Sequence, residues 1–539
     1  MKKIYFLFIL WALIGPINIS AQQWHQIYFP NKPNGTSAVF ESYDKGYVLG
    51  GNFQPYSIPT NGLIIKTDIN GQMLWSKTIS STNDWTRIAD INPTYENGFI
   101  LTGITGEQTN QHNPYVMKLN SCAELEWCRI YNTPNPNDEV GQSIWSIPGG
   151  YIALIYAYGN DPIHERVWLY RLDNEGELIW KQLYGQSSSD IKFEQGANLI
   201  VTSDYHFIIS GFCYFPDQGN PSISFLRPFI IKTDSTGTLE WELPWSIING
   251  ENFYGMAYSS VLDNQGTIYT ATRHIVTGGS DPGDKPCLIK TDSNGNELSY
   301  SDIFSLSKMG SSTTINWFVD STMALSYGWT DTLTTSYDGT VGVVKCNRNG
   351  DILFDKPILT NQYLFGDGIT TFDNKLLLVG GFKDGIWTTN AYKLNSNLEY
   401  DSVYNQPFVY DSICPHPIPS DTIPLGCVLV GSEEHTDQAE RTEMLVYPNP
   451  VSEILHVVLP DQLKTFEKSN HFNITTFRSR WNSVELEVYN LFGKRLFSRQ
   501  VPFDEKAVEL NVSSWQNGMY LIRLVFNNRT VCTAKVIKK

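Results

Sequence analysis

Apolar and polar positions follow one repeated pattern through the first three quarters of the chain. A turn-bearing phrase, KTDINGQMLW from Lys66, returns at intervals of roughly 50–60 residues. A short apolar run precedes each copy, as GYVLGG does from Gly46. Runs rich in β-branched residues between Gly, Asn and Asp predict four strands per repeat, which are residues 37–43, 46–53, 62–68 and 72–79 in the first. The seven copies of the phrase begin at Lys66, Lys118, Arg171, Lys232, Lys290, Lys345 and Lys393.

A four-stranded unit of this size cannot bury both of its faces alone, so neighbouring units must stack and the array must close. The pattern therefore predicts an all-β chain whose residues 22–405 form a seven-bladed β-propeller. The N-terminal run from Trp24 to Tyr28 is similar to an outer strand without its hairpin, and it lies 51 positions before Trp75. We expect it to complete the last blade as a clasp, although residues 400–404 compete for that place.

The residues that recur in every repeat are interpreted as structural. A Lys or Arg ends the third strand, and a Trp column occupies the fourth at Trp75, Trp127, Trp180 and Trp241. An active site needs its residues once, so a residue type present in each blade is better explained by packing. The DxxGxxxW spacing resembles the tryptophan-docking repeat of quinoprotein propellers. That resemblance implies the fold, and without a cofactor signature we expect no cofactor.

Composition and charge narrow the class of protein. The 539 residues are 41% hydrophobic and 13% aromatic, a composition that argues against disorder. The formal net charge of −16 disfavours nucleic acid as a partner. Residues 1–21 are typical of a signal peptide, with Lys2 and Lys3 before an apolar run and a small-residue cleavage site at Ala21. That run, residues 4–14, is too short to span a bilayer. We expect no transmembrane segment and a mature chain that leaves the cytoplasm.

The eight cysteines enter a compartment that permits disulfides. Cys122 and Cys128 flank one hairpin turn, and Cys414 and Cys427 bracket a proline-rich loop, so either pair is a candidate bridge whose connectivity the sequence does not fix. The other four are interpreted as buried thiols: Cys213, Cys287, Cys346 and Cys532.

A candidate binding face follows from the order of the strands. If they run from the centre outward as A, B, C and D, the uniform A–B and C–D turns lie on one face and the variable B–C and D–A connections on the other. Variable loops on a rigid scaffold are where binding is usual. The candidate residues on that face are Trp85, Asp138, Glu139, His164, Arg166, Asp190, Glu251, Asp281, Asp284, Trp329 and Trp387.

These aromatic and acidic side chains suit an extracellular glycan or protein ligand. The sequence contains no HExxH, no GxSxG and no calcium-loop motif, and its nine histidines lack metal-ligand spacing. We therefore assign no catalytic residue and expect no metal. Binding or adhesion is the favoured function; the alternative is a secreted hydrolase or lyase that acts on polysaccharide or protein with acidic residues of this face.

The pattern changes after residue 405. Residues 406–443 are rich in proline and then acidic, which predicts a linker. Residues 444–539 alternate apolar and polar positions between turns, which predicts a small antiparallel β-sandwich.

This last segment resembles the type A C-terminal sorting domain of the Bacteroidetes type IX secretion system. The opening YPNP, the NLFG turn, the NGMY strand and the basic end all match, with a longer stretch at 461–482 than the family shows. The resemblance implies export through the periplasm to the outer surface or beyond. Its partners are then the secretion machinery and, after tail cleavage, surface lipopolysaccharide. The motif residues are Tyr447, Pro448, Asn449, Pro450, Gly493, Gly518, Tyr520 and Lys535.

Overall fold

The protein consists of β-strands joined by turns. The computed structural model describes residues 24–54, 60–81, 84–107, 112–132, 138–158, 167–184, 193–216, 224–244, 247–248, 251–276, 283–303, 308–331, 339–360, 365–384, 386–406, 408–431, 444–459, 483–490, 494–502, 505–526 and 529–539. The proposed signal peptide and the stretch at 461–482 lie outside these ranges. The chain divides into two compact units, which consist mainly of residues 1–432 and of residues 433–539.

The larger unit contains seven sheets of four or five strands within its described residues, one for each repeat. The all-β propeller prediction is confirmed. The first three sheets contain β2 (Asn34–Glu41), β3 (Tyr47–Phe53), β4 (Asn61–Thr67) and β5 (Met73–Ser80); β6 (Asp84–Pro93), β7 (Phe99–Glu107), β8 (Asn113–Leu119) and β9 (Leu125–Asn132); and β10 (Asp138–Ile147), β11 (Gly150–Tyr158), β12 (Val167–Leu172) and β13 (Leu178–Tyr184).

The fourth to seventh sheets repeat this antiparallel order. Their strands are β14 (Phe193–Val201), β15 (Phe207–Pro216), β16 (Ser224–Thr233) and β17 (Leu239–Pro244); β20 (Gly255–Leu262), β21 (Ile268–Val276), β22 (Gly283–Thr291) and β23 (Glu297–Asp302); β24 (Lys308–Ser311), β25 (Ile315–Trp317), β26 (Met323–Asp331), β27 (Gly339–Cys346) and β28 (Ile352–Thr360); and β29 (Asp367–Thr370), β30 (Leu376–Asp384) and β31 (Ile386–Leu394). A small hairpin of β18 (Ile247–Ile248) and β19 (Glu251–Asn252) lies between the fourth and fifth sheets along the chain.

The N-terminal strand completes the seventh sheet. Strand β1 (His25–Tyr28) pairs with β31 in antiparallel register, His25 opposite Tyr392, and supplies the fourth strand of that sheet. The predicted clasp is therefore present. Residues 400–404 do not take this place, since Tyr400 makes only an isolated bridge to Leu394.

Polar side chains of the inner strands join neighbouring sheets. The Val39 N–H of the first sheet donates to Asp367 Oδ2 of the seventh at 2.8 Å, which links the two ends of the array. Asp90 Oδ2 accepts from the Ile144 N–H of the next sheet at 2.9 Å in the same way. Each acceptor satisfies a backbone donor that would otherwise be left without a partner between sheets. The ring is thus closed by specific hydrogen bonds as well as by packing.

The Trp column docks one sheet on the next. The Trp180 ring lies under the C–D turn of the following sheet, so close that a Cβ added at Gly237 would be 2.6 Å from it. Gly237 has a φ of +79°, and its carbonyl accepts from the Tyr184 hydroxyl at 2.6 Å. The repeated Trp and Gly are therefore packing residues. The same arrangement joins Gly71 with Trp24 and Tyr28, and Gly176 with Trp127 and Tyr131.

The repeated Lys also has a packing role. Lys66, at the end of β4, donates to Asp44 Oδ1 of the A–B turn at 2.6 Å, and both side chains are about 1% exposed. Three more sheets repeat this ion pair between the third strand and the A–B turn, through Lys118 with Glu96, Lys345 with Asp320 and Lys393 with Asp373.

Residues 408–431, which we call the belt, correct the linker prediction. Strand β32 (Asp421–Pro424) pairs in parallel with β5, and β33 (Val428–Gly431) pairs in parallel with β9, so the belt adds an outer strand to the first two sheets. Proline and polar residues are compatible with such edge strands because only one side of each strand is hydrogen-bonded. The linker interpretation is wrong for the belt, and residues 432–443 lie outside the described part.

Disulfides fasten the belt. Cys122 pairs with Cys414 and Cys128 with Cys427. The four cysteines are those predicted, but both suggested pairings are wrong because each bridge joins the second sheet to the belt. Cys213, Cys287 and Cys346 are buried free thiols, as interpreted, and the side chain of Cys532 lies outside the described part.

The smaller unit is the predicted sandwich of two sheets around one apolar core that includes Val457, Val488 and Ile522. The first sheet contains β34 (Leu445–Tyr447), β35 (Ile454–Val458) and β38 (Ala507–Asn511); the second contains β36 (Ser483–Asn490), β37 (Arg495–Pro502), β39 (Gly518–Phe526) and β40 (Arg529–Lys538).

Candidate functional site

The two ends of each propeller sheet differ in regularity. At one end, the C–D turns are five-residue turns built on a single carboxylate or amide, as at Asp68, whose Oδ1 accepts from the N–H groups of Asn70 and Gln72. Asp234 and Asp292 repeat this pattern. The opposite end carries the B–C and D–A connections, which differ from sheet to sheet; we call it the variable face.

Two predicted residues lie near one another at the variable end of the second and third sheets. Trp85 and Glu139 are each the second residue of an inner strand, β6 and β10. The Glu139 N–H donates to the His112 carbonyl at 3.1 Å, and the His112 ring centroid lies 6.2 Å from that of Trp85. His112 was not among the predicted residues, because nothing in its sequence context marks a single histidine before a strand.

The polar groups in this cluster differ in their environments. Trp85 Nε1 is buried and, among the described residues, has no hydrogen-bond acceptor. The Glu139 side chain is buried, and its charge acts inside the third sheet. Burial lowers the pKa of the Lys181 ammonium and the Glu139 carboxylate raises it in opposition. Burial chiefly, and then Glu139, raises the pKa of Tyr170. Glu139 thus has a buried electrostatic role.

Asp284 and Trp387 lie in other sheets. The Asp284 carboxylate is paired with the Arg273 guanidinium through Oδ2 and Nη2, so it is a partner in an ion pair between strands β21 and β22. Trp387, at the start of β31, leaves 39% of its surface exposed. A large aromatic side chain exposed beside a hairpin is a suitable contact surface for a ligand.

The remaining predicted residues of this face are placed only in part. Asp138, Glu251 and Trp329 lie on strands β10, β19 and β26. His164, Arg166, Asp190 and Asp281 lie outside the described residues.

One group of side chains has the composition of a metal site. The ligand atoms of His274, Cys287 and Asp302, all in the fifth sheet, lie within 4.8 Å of one another. None of the three was predicted as a ligand, because consecutive members of the group are 13 and 15 positions apart along the chain. This spacing matches no short metal motif.

The sorting-motif residues surround the junction of the first and last strands of the sandwich. Asn449 donates through Nδ2 to the Lys535 carbonyl at 2.8 Å and accepts from the Ile537 N–H at 2.9 Å. The Tyr520 hydroxyl donates to the Gln516 carbonyl at 2.6 Å. Tyr447 ends β34 and Gly518 begins β39, while Pro448 and Pro450 follow cis peptide bonds. Gly493 lies outside the described residues.

Residues 445–539 match the family model of the secretion system C-terminal sorting domain. No curated protein matches the chain. Among solved structures, the chain is similar to a protein of unknown function from Dyadobacter fermentans (10% identity, TM-score 0.40, 69% of this chain and 98% of that one). It is also similar to the GH93 α-L-arabinofuranosidase of Fusarium graminearum (9% identity, TM-score 0.38, 68% and 94%). No helix among the described residues is long and apolar enough to cross a membrane.

The fold and the tail together define a secreted β-propeller protein. The sorting domain makes the chain a cargo of the type IX secretion system, which exports it to the cell surface or outside the cell.

Proposed function

We propose that the exported propeller binds an extracellular glycan or protein ligand, in adhesion or capture, through its variable face. The observation that carries the proposal is the contrast between the two ends of the sheets. Residues that are repeated from sheet to sheet make structural contacts inside the propeller, as Trp180 does with Gly237 and Lys66 with Asp44. Residues that occur once are concentrated among the B–C and D–A connections, where a rigid scaffold leaves sequence free for recognition.

The Trp85 cluster supports this proposal at one position. A buried N–H without an acceptor costs roughly 1–3 kcal/mol relative to a satisfied one. Trp85 Nε1 is covered, so a ligand carbonyl or hydroxyl would recover that free energy only by displacing the groups that cover this N–H. Trp387 supplies a second, exposed aromatic surface of the kind that stacks on sugar rings or peptide side chains.

The described carboxylates favour binding over hydrolysis. Glycoside hydrolysis requires two carboxyl groups that face the same bond. Of the predicted acidic residues whose side chains the structure describes, Glu139 is buried and Asp284 is held by Arg273. Asp284 is therefore engaged in an ion pair, and Glu139 in the buried electrostatics of the third sheet.

Binding can be tested with the full secreted protein on glycan and peptide arrays, followed by titration of any ligand found. Trp387→Ala and Trp85→Phe are expected to weaken binding tenfold or more. Trp145→Ala is the matched control, because Trp145 is 38% exposed and lies toward the A–B turn at the other end of its strand. Equal losses in all three variants would contradict the proposal. Turnover of an array ligand that is abolished by carboxylate substitution would replace binding with catalysis.

We also infer that the sorting domain is removed after export, and that the propeller is then released or attached to surface lipopolysaccharide. The resemblance of the tail to the type A sorting domain supports this fate. Mass spectrometry of the extracellular protein should find a C-terminus before residue 444, with or without a glycolipid. An intact residue 539 on all surface material would contradict it.

A further inference from the structure

The fifth sheet brings three different metal-ligating side chains together. His274 lies on β21, Cys287 on β22 and Asp302 on β23. The His274 Nδ1 and Asp302 Oδ1 atoms are 2.7 Å apart, and the Cys287 Sγ completes a set whose atoms all lie within 4.8 Å. Ligands of one tetrahedral ion lie closer together than this limit, so small side-chain movements are enough to enclose an ion.

Strand register places the three side chains on one face of the sheet. Cys287 is directly opposite Asp302, and His274 is opposite Lys285, two residues before Cys287. Residues opposite one another, or two apart on the neighbouring strand, share a face. The convergence is therefore fixed by backbone pairing and does not depend on a loop.

These residues depart from the repeat at three equivalent places. The position of Cys287, opposite the fifth residue of the B strand, is filled by the large apolar side chains of Leu63, Tyr115 and Phe229 in the first, second and fourth sheets. The sixth sheet has Gly342 there and the seventh has Asn390. The position of Asp302 is occupied elsewhere by Thr78 and Ile130, and that of His274 by Phe53 and Thr105. Packing that the other sheets achieve with ordinary side chains does not require a His, a Cys and an Asp here.

The surroundings hold the cluster in place and leave one side open. The Phe253 ring stacks on the His274 ring at 4.4 Å and 9°, and the Tyr300 ring lies 5.1 Å away. Cys287 is fully buried, whereas 26% of the Asp302 side chain is exposed. An ion would therefore enter from the Asp302 side, where a water molecule can complete its coordination.

We propose that His274, Cys287 and Asp302 form a Zn²⁺ site. Imidazole nitrogen, thiolate sulfur and carboxylate oxygen are the donors that zinc takes in proteins, and three such ligands with an open fourth position suit its tetrahedral preference. The thiolate and the carboxylate supply two negative charges, while Lys285 on the same face supplies one positive charge. The thiolate forms only as zinc displaces the thiol proton, because burial raises the pKa of Cys287. The sequence-based expectation of no metal is replaced by this proposal.

Direct metal binding is the test. The full secreted protein, stripped with a chelator, is titrated with Zn²⁺ by calorimetry in two buffers of different ionisation enthalpy. We expect one Zn²⁺ per chain and release of a proton from the Cys287 thiol, because zinc binds the thiolate. Co²⁺ in place of Zn²⁺ should give a sulfur-to-cobalt charge-transfer band. His274→Ala, Cys287→Ser and Asp302→Asn should each weaken Zn²⁺ binding by at least about tenfold.

Cys346→Ser is the matched control, since Cys346 is also a buried free thiol in a third strand, one sheet further along. It should leave the Zn²⁺ affinity and the cobalt band unchanged. If Cys287→Ser fails to fold, Asp302→Asn, at the more exposed ligand, carries the test. Three results would overturn the proposal: absence of Zn²⁺ binding, binding without a thiolate band, or wild-type Zn²⁺ affinity in the three ligand variants. Each would leave a hydrogen-bonded His–Asp pair beside a buried thiol.

Discussion

The two belt disulfides should stabilise the propeller in a strongly non-additive way. Cys122–Cys414 and Cys128–Cys427 close loops of 292 and 299 residues. The perturbation is removal of either bridge, through Cys122→Ser with Cys414→Ser or Cys128→Ser with Cys427→Ser, and then of both together.

The magnitudes follow from the loops that each bridge closes in the unfolded chain. While one bridge remains, the other closes only a ring of six residues from Cys122 to Cys128 and thirteen from Cys414 to Cys427. A ring of about 19 residues corresponds to about 3 kcal/mol, so loss of either bridge alone should cost that much. Loss of both also opens the long loop, which adds about 6 kcal/mol. The quadruple variant should therefore lose about 9 kcal/mol.

Urea unfolding followed by tryptophan fluorescence measures these differences. Wild-type protein in a reducing agent should behave as the quadruple variant does, which controls for the serine substitutions. A quadruple variant that loses no more than the sum of the two double variants, about 6 kcal/mol, would refute the loop-closure reasoning.

Three further predictions concern contacts inside the propeller. Asp44→Asn leaves the Lys66 ammonium buried without its charge partner and should lower the free energy of unfolding in urea by about 3–5 kcal/mol. The control Lys45→Gln, at the more exposed pair with Glu41, should lower it by less than about 1 kcal/mol. Equal losses would contradict a buried ion pair. Gly237→Ala should lower the free energy of unfolding by about 2–4 kcal/mol, because it adds a Cβ against Trp180 at positive φ. Gly266→Ala, at a φ of +80° with no ring beside it, should lower it by only about 1–2 kcal/mol. Similar losses would contradict the docking of Trp180 on Gly237. Burial raises the pKa of Asp90 to about 6 and that of Asp367 to about 7, both above the ordinary value of 3.8. Their protonated carboxyls therefore contribute to stability in full below about pH 4, and this contribution is lost as the pH rises to about 7. Asp90→Asn with Asp367→Asn should make the thermal midpoint less dependent on pH between pH 4 and 8, and an unchanged pH dependence would count against this reasoning. Asn suits these positions, because Asn198 of the fourth sheet already accepts a comparable hydrogen bond from the Ser260 N–H of the fifth sheet.

The sequence could predict the parts of the fold that recur. Each repeat carries its own strand and turn signals, and the spacing between Trp24 and Trp75 correctly indicated the clasp. The belt has no such signal. Its strands are four residues long, and single side chains anchor it to the first sheet: the Tyr410 hydroxyl accepts from the Ile69 N–H, and Asp411 accepts from Trp75 Nε1. The proline-rich composition of this segment therefore predicted a linker where the structure has the belt.

The candidate sites show a similar division. Differences between the repeats in their B–C and D–A connections indicated the variable face. Whether a given carboxylate is buried or paired depends on its neighbours in space, as the Arg273 partner of Asp284 illustrates. The His274, Cys287 and Asp302 cluster had a usable signal that motif spacing does not contain. Alignment of the repeats shows His274, Cys287 and Asp302 where the first sheet has Phe53, Leu63 and Thr78, and strand register places the three together.

Export by the sorting domain is the central claim, and a reporter fusion tests it most directly. A periplasm-directed fluorescent protein followed by residues 444–539 is expressed in a type IX-competent host, beside the same fusion with Asn449→Ala, which removes both hydrogen bonds between the opening motif and the last strand. We expect the unmodified fusion at the cell surface or in the medium, and less export of the Asn449→Ala fusion. Retention of the unmodified fusion in the periplasm would contradict the account.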